Sequence, residues 1–145
     1  MNFIAVLERG ILILLSLCLA AGGSTHVVDI VRGGFFPYHF VPFPINLFWT
    51  SLAVLDFTAV LLLWNRRNVG VLLTLAIMCA DVVINSYATY WLRIPFESFA
   101  PLQAQSLFLG FVLGVSGFIL RSSSQAVSSN QAFRHAPTGA AESKR

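Results

Sequence analysis

The stretch VGVLLTLAIMCADVVINSYATYW, Val69–Trp91, contains one charged side chain, Asp81, and is bounded by Arg66 and Arg67 on one side and Arg93 on the other. About 20 apolar residues in a helix cross the hydrocarbon of a bilayer, and buried strands are far shorter. The stretch therefore predicts a transmembrane helix that carries a carboxylate and, one turn further on, the amide of Asn85. Three further runs have the same length and character: Gly10–Val31, Pro44–Trp64 and Phe99–Leu120. The whole chain is 57% hydrophobic and 10% charged over 145 residues, where soluble domains carry roughly 25% charged residues. The expectation is an all-α integral membrane protein: a four-helix transmembrane bundle over residues 1–120 and a disordered cytoplasmic tail over 121–145, with no room for a soluble domain.

The tail reads RSSSQAVSSNQAFRHAPTGAAESKR. It has too few large apolar side chains to offset the entropy of ordering it. Its basic residues suit an anionic inner leaflet, with no need of a nucleic-acid partner. Under four spans, Arg9, Arg66, Arg67, Arg121, Arg134, Lys144 and Arg145 fall on one side, and Arg32 and Arg93 on the other. Basic residues favour the cytoplasmic side, so both termini are expected there, in a multi-pass protein of a bacterial cytoplasmic membrane. Cleavage of the first span as a signal peptide is the lesser alternative. CLAAGG (18–23) offers small residues, but Glu8 beside Arg9 leaves no net positive charge ahead of the apolar run, which continues to Val31.

No Walker loop, dinucleotide fingerprint or zincin motif is present, and Cys18 and Cys79 form no C-x-x-C pair. No cofactor and no metal are expected. The four-span layout resembles that of small bacterial membrane families such as the DoxX-like proteins. The resemblance is one of architecture, and no activity follows from it.

The polar residues inside the spans are the functional signal. At 1.5 Å per residue, Asp56 lies roughly 18 Å from the outer end of the second span, and Asp81 roughly 15 Å from the outer end of the third. Asp81 and Asn85 share a face, extended by Thr74, Met78 and Ala88. On the second span, Asn46, Trp49, Ala53, Asp56 and Ala59 align. On the first, His26, Asp29 and Arg32 align. On the fourth, Gln103, Ser106, Gly110, Gly114 and Gly117 share one face and Gln105 lies on another. The plainer account makes each polar group a hydrogen-bonding contact between helices, worth roughly 0.6–2 kcal/mol. That suits Asn85, Gln103 and Ser106. A carboxylate at the bilayer centre costs at least ~2.5–3.5 kcal/mol, and two on consecutive helices exceed what packing requires. The expected ligand-binding set is therefore His26, Asp29, Trp49, Asp56, Asp81 and Asn85, around a cavity open to the outside.

The glycines suit close helix approach, within the bundle first and otherwise in a homodimer or against another membrane protein through Gly110, Gly114 and Gly117. The loop GGFFPYHFVPFP (33–44) has three prolines and several aromatics, which places it at the outer interface as an anchor or as a lid over the site. His39 belongs either to that belt or to the site. The functional expectation is a site for a small cation, a proton or an amphipathic ligand, or an accessory subunit in the bilayer. The alternative is a membrane-embedded enzyme acting on a lipid-like or quinone-like substrate by acid/base chemistry.

Overall fold

A computed structural model describes residues 3–94 and 100–134, with backbone alone for 122–134. It contains four long helices and, among the described residues, no strand. Helix α1 is Phe3–Gly33, α2 Phe43–Asn65, α3 Arg67–Ser86 and α4 Ala100–Arg134. A π-helical turn, Tyr87–Trp91, continues α3. All four are long and apolar enough to cross a membrane, and the chain is an all-α, multi-pass membrane protein. Large apolar side chains dominate the outward surface, among them Leu17, Val54, Leu61, Leu72, Val83 and Leu107, as a lipid-covered surface requires.

Each helix packs on the next, α1 on α2, α2 on α3 and α3 on α4, whereas α1 and α4 hardly touch. Leu12, Leu15, Leu19, Leu52, Leu63, Val71, Ile77, Val112 and Ile119 form the buried centre. The α2–α3 end is tightly drawn together. Arg66 and Gly70 continue the hydrogen-bonding across the turn, Arg66 N–H to Leu62 O at 2.8 Å and Gly70 N–H to Arg66 O at 3.0 Å. Glu8 pairs with Arg67, and Trp64 Nε1 donates to Ser16 Oγ at 3.0 Å, so α1 is fastened to this end as well.

At the other end, α1 stops at Gly33 and Gly34. Gly34 has φ +87° and its N–H returns to Ile30 O at 2.9 Å, the left-handed helix stop that glycine adopts without strain. The chain then folds back over the helix end, so that a Cβ on Gly33 would stand 2.7 Å from Pro37 Cβ. Pro42 and Pro44 lead into α2.

Helix α4 differs from the sequence reading in two ways. The first is its facing. The side directed at α3 carries Leu102, Gln105, Phe108, Val112, Ser116 and Ile119, while Gly110, Gly114 and Gly117 are exposed, with nothing within 4 Å of a Cβ built on any of them. The glycine stripe is thus not an internal seam. Large side chains supply more dispersion contact than glycine, and in lipid that contact, not water exclusion, decides which face turns inward. The second is its length. The apolar span ends at Arg121, but helical backbone continues to Arg134. The remainder of the expected disordered tail, 135–145, lies outside the described residues.

Candidate functional site: an acidic cavity in one half of the bundle

A cavity of about 620 Å³ lies between the helices in the half of the bundle nearest the α1–α2 loop. The alternation of facing along each helix delivers its polar groups there. Helix α1 contributes Gly22, Thr25, His26 and Asp29, α2 contributes Trp49 and Asp56, α3 contributes Asp81, Asn85 and, on the π turn, Thr89, and α4 contributes Gln105. All six residues singled out from the sequence line this one space. Its walls are otherwise apolar: Leu19, Leu52, Ile77, Met78, Leu102 and Phe108.

The centre of the polar network is Asn85. Its Oδ1 accepts from Trp49 Nε1 at 2.7 Å. Its Nδ2 donates to Asp81 Oδ1 at 3.0 Å and to Gln105 Oε1 at 2.8 Å. Both amide hydrogens are thereby used, and three helices are joined through one side chain. Gln105, which helical spacing placed away from the glycine face, is the α4 residue that reaches the site. Gln103 and Ser106 lie outside it, along a separate hollow beside Ser86 and Tyr90.

Tyr38 was not singled out by the sequence reading. It enters from the loop, and its hydroxyl donates to Asp29 Oδ2 at 2.8 Å and lies 2.8 Å from His26 Nδ1. The phenol has one proton, which goes to Asp29, so Nδ1 of His26 is the donor in the second bond. Burial first, and then the bond to Asp29, push the Tyr38 phenol above its usual range, so it remains a neutral donor. Its ring meets Trp49 edge-on at 5.1 Å, and its N–H reaches Asn46 Oδ1 at 3.3 Å. Asn46 Nδ2 also holds Phe36 O at 3.2 Å, so the buried amide on α2 pins the loop. The loop segment carrying Tyr38 and Phe40 therefore covers the α1–α2 side of the cavity. His39 is exposed and does not line it.

Asp56 stands apart from both networks. It is 5% exposed, lies near the middle of α2, and makes no hydrogen bond with any described residue. Every fully enclosed side-chain N or O among the described residues has a partner, so the Asp56 carboxylate must look onto the cavity space. It also lies against bare backbone: a Cβ on Gly22 would stand 3.1 Å from its Oδ2, and one on Gly23 would stand 3.1 Å from its Cβ. The CLAAGG segment is thus where α1 makes room for the carboxylate of α2, inside a helix that runs unbroken past it.

Among the described residues, no Lys or Arg side chain lines the cavity, which holds the three carboxylates of Asp29, Asp56 and Asp81. Among the described residues, no three His, Cys, Asp or Glu side chains are grouped to hold a metal ion. The groups present can accept hydrogen bonds, bind positive charge and pass a proton along the His26–Tyr38–Asp29 chain. No protein-family model, no curated protein and no solved structure matches the chain.

Proposed function

We propose that this chain is a ligand-binding membrane protein whose cavity takes an amphipathic molecule. The polar end would rest on Asp56, Asp81 and Asn85, and the apolar remainder along the walls toward the lipid. The observation that carries the reading is Asp56, a buried carboxylate that faces open space with no hydrogen bond from any described residue. Packing does not call for such a group, and a ligand would give it a partner. The cavity volume is that of a small-molecule pocket, roughly 300–1,000 Å³, and exceeds what a bare ion needs. A second reading, an enzyme working on a lipid-like or quinone-like substrate, draws on the His26–Tyr38–Asp29 chain as a proton path.

The test uses N-acetyl-dansylcadaverine, a neutral amphiphile, and protein in phosphatidylcholine nanodiscs. Trp64→Phe and Trp91→Phe leave Trp49, in the cavity wall, as the energy donor. Sensitised dansyl emission should saturate, and Ala104→Phe, which narrows the cavity at an exposed wall position, should remove the saturable part. Emission that rises only in proportion to probe in the lipid, unchanged by Ala104→Phe, defeats the reading.

The basic-residue asymmetry supports an orientation with the cavity in the outer half and both termini in the cytoplasm. In a cysteine-free background, His39→Cys should react with an impermeant maleimide added to intact cells, and Asn65→Cys should react only after lysis. The reverse pattern would invert the topology.

A further inference from the structure

We infer that the ligand is a lipophilic organic cation, drawn from the bilayer through the gap between α1 and α4. The inference rests on the binding reading above and adds the charge of the ligand and its source. The first support is hydrogen-bond accounting. Both amide hydrogens of Asn85 go to Asp81 and Gln105, its Oδ1 accepts from Trp49, and Tyr38 has given its only proton to Asp29. What remains toward the cavity is mainly acceptor capacity, both oxygens of Asp56 and Asp81 Oδ2, beside the amide Nε2 of Gln105. A ligand that complements the two carboxylates must bring donors.

The second support is charge. Three carboxylates line the space and, among the described residues, no Lys or Arg does, while the His26 nitrogen nearest the network is engaged by Tyr38. An anionic head group would meet carboxylates without a compensating cation in a medium where charges interact strongly. A protonated amine meets partners for its charge and for its hydrogens at once.

The third support is the route. α2 and α3 close the cavity by packing on each other, and Tyr38 and Phe40 cover its α1–α2 end. Between α1 and α4 the helices scarcely meet, and the residues flanking that gap, Cys18 and Ala21 on one side and Pro101 and Ala104 on the other, are exposed. An opening bordered by such side chains faces acyl chains, and a molecule that uses it must already be dissolved among them. The aromatic faces of Trp49 and Tyr38 at the polar end add a surface that attracts cations.

The experiment compares three probes with the same dansyl body and different heads in neutral phosphatidylcholine nanodiscs: dansylcadaverine (a primary amine), its N-acetyl derivative, and dansyl-6-aminohexanoic acid. Concentrations are corrected for partitioning into empty nanodiscs. The amine should bind at least about tenfold more tightly than the neutral probe, which is one factor of ten per ~1.4 kcal/mol, and the acid should show no saturable binding. Asp56→Asn should abolish the preference for the amine while the neutral probe still binds. Equal affinity for all three heads, or tightest binding of the acid, overturns the cation assignment and leaves the binding site standing. Saturable binding of none of them overturns both. An amine preference that survives Asp56→Asn and Asp81→Asn together also overturns the assignment, because the charge would then be read elsewhere.

Discussion

Asp56→Leu should leave the protein at least as stable as the wild type and unable to hold a cationic amphiphile. The carboxylate is 5% exposed and makes no hydrogen bond with the described residues, so replacing it removes a desolvated polar group and breaks nothing. Insertion scales put an aspartate at a helix centre about 2.5–3.5 kcal/mol above an apolar residue. Part of that should appear as a melting temperature in detergent several degrees higher. Binding should move the other way. Losing a charge-assisted contact worth roughly 1.5–3 kcal/mol weakens a ligand about ten- to hundredfold. Stability gained together with function lost is the signature of a residue retained for its site. Asp81→Leu serves as the contrast. Asp81 Oδ1 accepts from Asn85, so its removal leaves a half-buried amide hydrogen unpaired, at a cost of ~1–3 kcal/mol. Asp81→Asn keeps the acceptor and should restore stability without restoring cation binding. A clear drop in melting temperature for Asp56→Leu, comparable to that of Asp81→Leu, would make Asp56 a packing residue and remove the main support for the site.

How far these positions could be read from the sequence depended on the kind of regularity that placed them. Asp81 and Asn85 stand one helical turn apart, and so do the members of the Trp49–Asp56 face, so periodicity alone brought them to one side of each helix. Span length supplied the depth, and the shared depth supplied the convergence. Helix α4 defeated the same method because it offered two plausible faces, a small-residue stripe with Gln103 and a bulky stripe with Gln105. The choice between them depends on how well large side chains fill the surface of α3, which no one-helix pattern contains. Tyr38 was unreadable for a different reason. A proline-rich loop has no period, and the return of the chain over Gly33 and Gly34 is what carries the hydroxyl to His26 and Asp29. Its only forewarning was an aromatic loop beside a helix end that carried an unpaired histidine and aspartate.

Glycines present the same lesson with the largest expected energetic effect. The three that a sequence pattern marks, Gly110, Gly114 and Gly117, have open space where a Cβ would go, whereas Gly70, part of no motif, has a neighbouring backbone there. A Cβ on Gly70 would lie 2.3 Å from Leu63 N and 2.6 Å from Leu62 C, both main-chain atoms that cannot rotate aside. Both Gly70 and Gly114 sit in helices, so local propensity favours alanine at either by about 1 kcal/mol. At Gly114 nothing opposes that gain, and Gly114→Ala should leave the melting temperature unchanged or slightly raised. At Gly70 the overlap must be relieved by moving α3 away from α2. Doing so loosens the turn that Arg66 and Gly70 build, and with it the core to which Leu63 and Val71 belong. Overpacking a close-fitted site costs ~1–3 kcal/mol when side chains can yield, and more when only backbone can. Gly70→Ala should therefore lower the detergent melting temperature sharply or prevent accumulation in the membrane, in spite of its better helix propensity. Similar stability for the two variants would mean that α2 and α3 do not meet as closely as Gly70 requires. The register that sets Asp81 and Asn85 opposite Trp49 and Asp56 starts from that contact, so the same result would loosen the geometry of the cavity as well.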